Sequence, residues 1–68
     1  MSHWTIRHQD VDGRDAQSIR LSREAAIVQG LYLERRQHCR IQIIEGPEGE
    51  MIDRETFERE HLNRRRGD

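Results

Sequence analysis

The stretch Ser22 to Gln37, SREAAIVQGLYLERRQ, constrains this chain more than any other. At about 100° per residue, Ala25, Ile27, Val28, Leu31 and Tyr32 fall on one continuous apolar arc, the mark of a helix with a buried face. Ser22 suits the N-cap, where its hydroxyl can accept from a free N–H of the first turn. Glu24 then lies near the positive end of the helix dipole, and Arg35 and Arg36 lie near the negative end. The expected helix therefore covers Arg23 to about Gln37, with Leu31 at the centre of its apolar arc. Gly30 interrupts it at a cost of about 1 kcal/mol relative to Ala. It stands on the flank away from the arc, so it reads as tolerated or as a point where a second backbone, including one from a partner chain, comes close.

With 68 residues, the rest of the chain has little from which to build a core against that helix. A domain this short buries only about 60% of its extended surface. Hydrophobic residues are 32% and charged residues 37%, a balance that leans toward disorder. The periodicity argues the other way, and a net charge of −1 gives no self-repulsion to hold the chain open. A single small α+β domain over residues 1–68, completed by dimerisation, fits both facts. All twelve basic residues are Arg. Coding bias explains that, although Arg also suits bidentate recognition of phosphate and carboxylate. The lone cysteine, Cys39, has no internal disulfide partner, which agrees with a reducing compartment. No apolar run approaches the roughly 18 residues of a membrane span, and no secretory signal is visible, so a cytoplasmic location without membrane contact is expected.

Along the chain, His3 to Gln9 alternates, with Trp4, Ile6 and His8 on one side and His3, Thr5 and Arg7 on the other. Asp12-Gly13 is a hairpin signal, because a two-residue loop requires positive φ. Ala16 to Leu21 should return as a second strand, with Ile19 and Leu21 inward and Ser18 and Arg20 outward. After the helix, His38 to Glu45 reads as a strand in which Cys39, Ile41 and Ile43 alternate with His38, Arg40, Gln42 and Ile44. Gly46-Pro47-Glu48-Gly49 is a turn with Pro47 at its second position. Glu50 to Ile52 forms a short fourth strand. Asp53 then caps a second helix, with Ile52 and Phe57 at the spacing of a hydrophobic staple. Glu55/Arg59 and Glu60/Arg64 are i,i+4 pairs in the favourable order. This charged helix has few anchors, chiefly Phe57 and Leu62, and should fray over residues 64–68. The expected fold is ββαββα, a small antiparallel sheet with one main helix on one face. Trp4, Ile6, Ile19, Leu21, Ile41 and Ile43 would meet Ile27, Val28, Leu31 and Tyr32.

Trp4 in the first strand, Ser22 with Ala25 and Ala26, the aliphatic run Ile41-Ile43-Ile44, and the Glu48-Gly49 turn give the chain a layout. That layout resembles short bacterial domains of unknown function with a ββαββ core, over about residues 3 to 53. The resemblance implies the fold and no chemistry, and the aromatic usual in the second strand of such domains is missing here.

The residues that carry chemistry do not assemble into a catalytic pattern. His38 and Cys39 are adjacent, so a strand sends them to opposite faces, and the four histidines lack the paired spacing of a zinc site. Cys39 falls on the core side, where a thiol acts as a small hydrophobe. The Gly46–Gly49 turn carries an acid where a phosphate would need donors. The expectation is a non-enzymatic protein with no catalytic residues, metal or cofactor.

Two kinds of surface remain. The first is a protein interface, with a homodimer or another protein as partner, in which the thinly anchored second helix packs through Phe57, Leu62, Ile44 and Ile52. The second is a phosphate-binding sheet face for nucleic acid, bearing Arg7, Arg20, Arg40 and His38 with no acid among them. Antiparallel sheets commonly show one polar face to water, and this face lacks the aromatics on which bases stack, so the interface is preferred.

Overall fold

A computed structural model describes residues 2–62. The elements are β1 (Trp4–Gln9), β2 (Asp15–Arg20), α1 (Arg23–Arg36), β3 (Arg40–Glu45), β4 (Met51–Asp53) and α2 (Arg54–Phe57). The last continues into a π-helical turn, Glu58–Leu62. The fold is α+β, with one antiparallel sheet in the order β2-β1-β3-β4. The expected ββαββα order is the observed one. The expected frayed tail, 64–68, and the Glu60/Arg64 pair involve positions outside the described residues. No helix among the described residues is long and apolar enough to cross a membrane.

Local chemistry explains the turns. The β1–β2 connection is longer than the two-residue loop that Asp12-Gly13 suggests. The Asp10 carboxylate accepts from the N–H groups of Asp12 and Arg14, both at 2.9 Å, and Gly13 supplies the positive φ of 84° that closes the loop. Ser22 caps α1 as expected, accepting from Ala25 N–H at 3.1 Å. The helix ends where His38 adopts φ 58° and Cys39 N–H donates to Leu33 C=O at 2.9 Å. His38 is therefore a helix-terminating residue and not the first residue of β3.

Three side-chain phases depart from the sequence pattern. In β3, Ile44 lies opposite Ile6, Ile43 opposite Arg7, and Ile41 opposite His8. Gln42 is the extra residue of a β-bulge, so Ile41 and Ile44 both turn inward and Ile43 turns out. In β2 the phase is the reverse of the expected one. Arg20 pairs with Trp4 and Ser18 with Ile6, which sends Ile19 to the opposite face. In α1 the buried residues are Ala26, Ile27, Gly30 and Leu33, while Val28 and Tyr32 are exposed and Leu31 is half-buried. Ile27 is buried as expected, but the buried face is turned from the expected arc toward Ala26, Gly30 and Leu33, and the missing side chain of Gly30 lets a neighbouring element approach.

The element that approaches is α2. A Cβ built on Gly30 would lie 3.1 Å from Phe57 Cζ and 3.2 Å from Cε1. The Phe57 ring is fully buried in that recess, in one cluster with Trp4, Ile6, Ala26, Leu33, Ile41, Ile44 and Ile52. This corrects the expected interface. Phe57, Ile44 and Ile52 are spent in the chain's own core, and Leu62 packs half-buried against it. The close neighbour of Gly30 is likewise a side chain of the same chain. The Asp53 cap, accepting from Thr56 N–H at 2.8 Å, sets the entry angle that aims Phe57 inward. Arg54 then anchors the helix start. Its guanidinium donates to Glu34 of α1, to Ile41 C=O at 3.0 Å and to Glu58 at 2.7 Å. Burial opposes its charge, but these partners outweigh that and hold its pKa above the ordinary value. The ion pair along this helix is thus Arg54–Glu58, and Arg59 sits by Glu60 at 4.0 Å instead of Glu55. The wider π turn after Phe57 removes the i,i+4 alignment that Glu55 and Arg59 would need.

Candidate interaction surface

Both helices lie on the face carrying Trp4, Ile6 and His8, and among the described residues no element covers the other, open face. Arg7 and Arg40 stand on the open face, since Arg40 pairs with Gln9. Arg20 does not join them, because the β2 register turns it to the helix side, and His38 lies at the end of α1. Acids do share the open face. Glu45 holds the Arg7 guanidinium at 2.8 Å, Asp15 pairs with Gln9, and Asp53 pairs with Ile43. The acid-free Arg7, Arg20, Arg40 and His38 surface is therefore not formed. The bulge and the inverted β2 phase, both invisible to simple alternation, redistribute its charges.

The reactive side chains are dispersed and engaged. His8 is buried beneath α1, with its Nε2 3.3 Å from Ser18 Oγ and its Nδ1 unpartnered. Burial lowers its pKa, and the charge of Asp10 offsets this only in part. Burial pushes the Cys39 thiol up, helped by Asp10 and Glu34, so it stays protonated and weakly nucleophilic. His61 packs against Phe57, with ring centroids 5.6 Å apart. His3 lines a shallow cleft of about 410 Å³ beside Thr5, Glu45, Glu50 and Met51. In that cleft Glu50 accepts from Glu48 N–H at 2.8 Å and Glu45 is bound to Arg7.

The two margins of the sheet differ. On the β4 side the strand is only three residues long, and Ile41 lies beyond its reach. Side chains complete the ladder there: Ile41 N–H donates to Glu34 at 2.8 Å and Ile41 C=O accepts from Arg54. On the other side β2 pairs with β1 over its full length, Asp15 to Arg20, and presents an outer edge with no strand neighbour among the described residues. Of the six large apolar side chains exposed among the described residues, Val11 lies in the β1–β2 loop and Met51 on β4, and the other four lie on β2, just after it, or on α1. Ile19 is 51% exposed, Leu21 81%, Val28 64% and Tyr32 49%. On α1, Ala25, Val28 and Tyr32 recur at the spacing of a helical seam, and Leu21 precedes the extended Ser22 cap. Ala25 and Tyr32 lie on the flank of α1 opposite Gly30 and Glu34, which face α2. That flank therefore looks toward β2. The sequence pattern predicts Val28 and Tyr32 in the core, because one helix carries two overlapping apolar stripes and only packing tells them apart.

Set beside protein-family models, curated proteins and solved structures, the chain matches none of them.

Proposed function

We propose that the chain is a small non-enzymatic interaction module that works by self-association through the side formed by β2 and the outer flank of α1. The observation that carries this reading is the full-length edge of β2, paired on one side only, with Ile19 exposed on it, Leu21 exposed just past it, and Val28 and Tyr32 exposed on α1. A chain with 32% hydrophobic residues leaves Ile19 in water on the open face of β2, Leu21 just past its end, and Val28 and Tyr32 on the helix above, while at the β4 margin, where Met51 is exposed, Glu34 and Arg54 cover the backbone of Ile41. Exposed apolar surface next to a free edge is the usual mark of a protein contact. The engaged carboxylates of the cleft and the protonated Cys39 thiol favour binding over catalysis. A free buried thiol also suits a reducing compartment such as the cytoplasm.

Sedimentation equilibrium tests the reading. The wild-type chain should rise from 8.2 kDa toward twice that mass with concentration. A Val28→Glu/Tyr32→Glu variant, altered only at exposed positions, should stay at the single-chain mass and keep its fold. A wild type that holds the single-chain mass up to about 1 mM, where even a contact worth about 4 kcal/mol would show, overturns self-association.

A further inference from the structure

We infer that the contact is strand addition: β2 pairs antiparallel with β2 of a second copy, about a two-fold axis through Ser18, and two four-stranded sheets become one continuous sheet. This rests on the self-association proposed above and gives it a geometry. The edge itself is the first ground. β2 runs against β1 in unbroken register from Asp15 to Arg20, whereas the β1–β3 pairing is bulged. It carries no proline and no lysine, two of the common guards of an exposed edge. Its outward N–H and C=O groups are a template for another strand, although the Ile19 C=O accepts from the Arg20 guanidinium of its own chain at 2.7 Å, whereas side chains from α1 and α2 cover the backbone groups of Ile41.

Charge selects a second copy and the antiparallel sense. The hairpin end of β2 carries Asp10, Asp12 and Asp15 against Arg14 alone. The other end carries Arg20 and Arg23 against Glu24. Antiparallel pairing sets the acidic end of one copy beside the basic end of the other. Parallel pairing would set like against like.

Side-chain facing then narrows the register. A two-fold axis normal to the sheet keeps the helices of both copies on one side, so directly opposed residues must point the same way. The axis must therefore pass through a residue. Through Gln17 it would oppose Arg14 to the second copy's Arg20, a like-charge pair. Through Ile19 it would leave the hairpin half of the edge unpaired. Through Ser18 it opposes Ala16 to Arg20 and Gln17 to Ile19, so on the helix side each Arg20 stands opposite the small Ala16 and the two Ser18 side chains meet at the axis. The two Ile19 side chains become diagonal neighbours on the open face. On the helix side the two α1 helices run antiparallel, with their Ala25 and Tyr32 flanks turned toward each other across the new strand pair.

Spin labelling at the exposed position 17 tests this, using Gln17→Cys in the full chain, with the wild type as the control for labelling of buried Cys39. The Ser18 axis offsets the two labelled positions by two residues along the strands, about 7 Å, and by about 5 Å across them. Labels that close should broaden the continuous-wave spectrum at concentrations where sedimentation shows the dimer, and dilution with unlabelled chain should sharpen it. A dimer without broadening overturns strand pairing and leaves self-association standing. Single-chain mass for both labelled and wild-type chains overturns both.

Discussion

Gly30 and Phe57 give the most demanding test of the packing. Replacing a mid-helix glycine with alanine stabilises an unhindered helix by about 1 kcal/mol. Here the new methyl carbon would sit 3.1–3.2 Å from the Phe57 ring and 3.6 Å from Ile44 Cδ1. The ring is fully buried and cannot turn aside freely. Its helix is short, so it can move outward by a few tenths of an ångström at the expense of the Arg54 contacts to Glu34 and Ile41. Overpacking of this kind costs about 1–3 kcal/mol. The sum for Gly30→Ala is thus a loss of about 0–2 kcal/mol, where propensity alone would predict a gain. Truncating the ring removes the obstacle. Phe57→Ala should cost about 3–5 kcal/mol by itself. In that background Gly30→Ala should become stabilising, a coupling of about 1–3 kcal/mol. Urea melts of the four species measure it, and Phe57→Leu replaces Phe57→Ala if the latter does not fold. If Gly30→Ala stabilises both backgrounds equally, the ring is not on Gly30 and the account of α2 fails.

Other expectations follow from the same structure. Leu33→Ala should cost about 2–5 kcal/mol. Leu31→Ala should cost clearly less, because Leu31 is half-buried, and equal losses in thermal melts would show the helix rotated from the face described. Truncation after Ile52 should unfold the chain by far-UV circular dichroism, since it removes Phe57 from the centre of the core, and a folded remnant would return α2 to the periphery. His8 makes stability fall with acid. Its folded pKa is lowered, so the folded chain resists a proton that the unfolded chain accepts near about pH 6.5, and stability declines as pH drops through that value toward the lowered one. His8→Leu should flatten this part of a stability–pH profile, and an unchanged slope would show that His8 is not the group responsible.

The sequence carries the element order because caps and turns are local. Ser22, Asp53, Gly13 and Gly49 each mark a boundary through their own backbone chemistry, and each does so in the structure. The β1 phase was legible for the same reason, with Trp4, Ile6 and His8 alternating without interruption. The rest depends on partners distant in the chain. The bulge at Gln42 decides that Ile44 goes inward and Ile43 outward, and a run of three isoleucines within four positions does not say where an extra residue sits. The β2 phase follows the Asp10–Arg14 loop, whose length is set by an Asp10 side-chain turn and not by Asp12-Gly13 alone. Gly30 marked a close approach, yet only the fold shows that Phe57 fills it. The candidate surface was hidden for a related reason. Val28 and Tyr32 look like core residues until Ala26, Gly30 and Leu33 are seen to occupy that role.

Amide hydrogen exchange along β2, measured at low and high chain concentration, tests the central claim most directly. If two copies join through this edge, the outward-facing amides between Asp15 and Arg20 should exchange more slowly as concentration rises. The amides of Met51–Asp53, on the far margin, should keep the same rates. Rates in β2 that do not change with concentration, or protection that grows at β4 instead, would contradict the account.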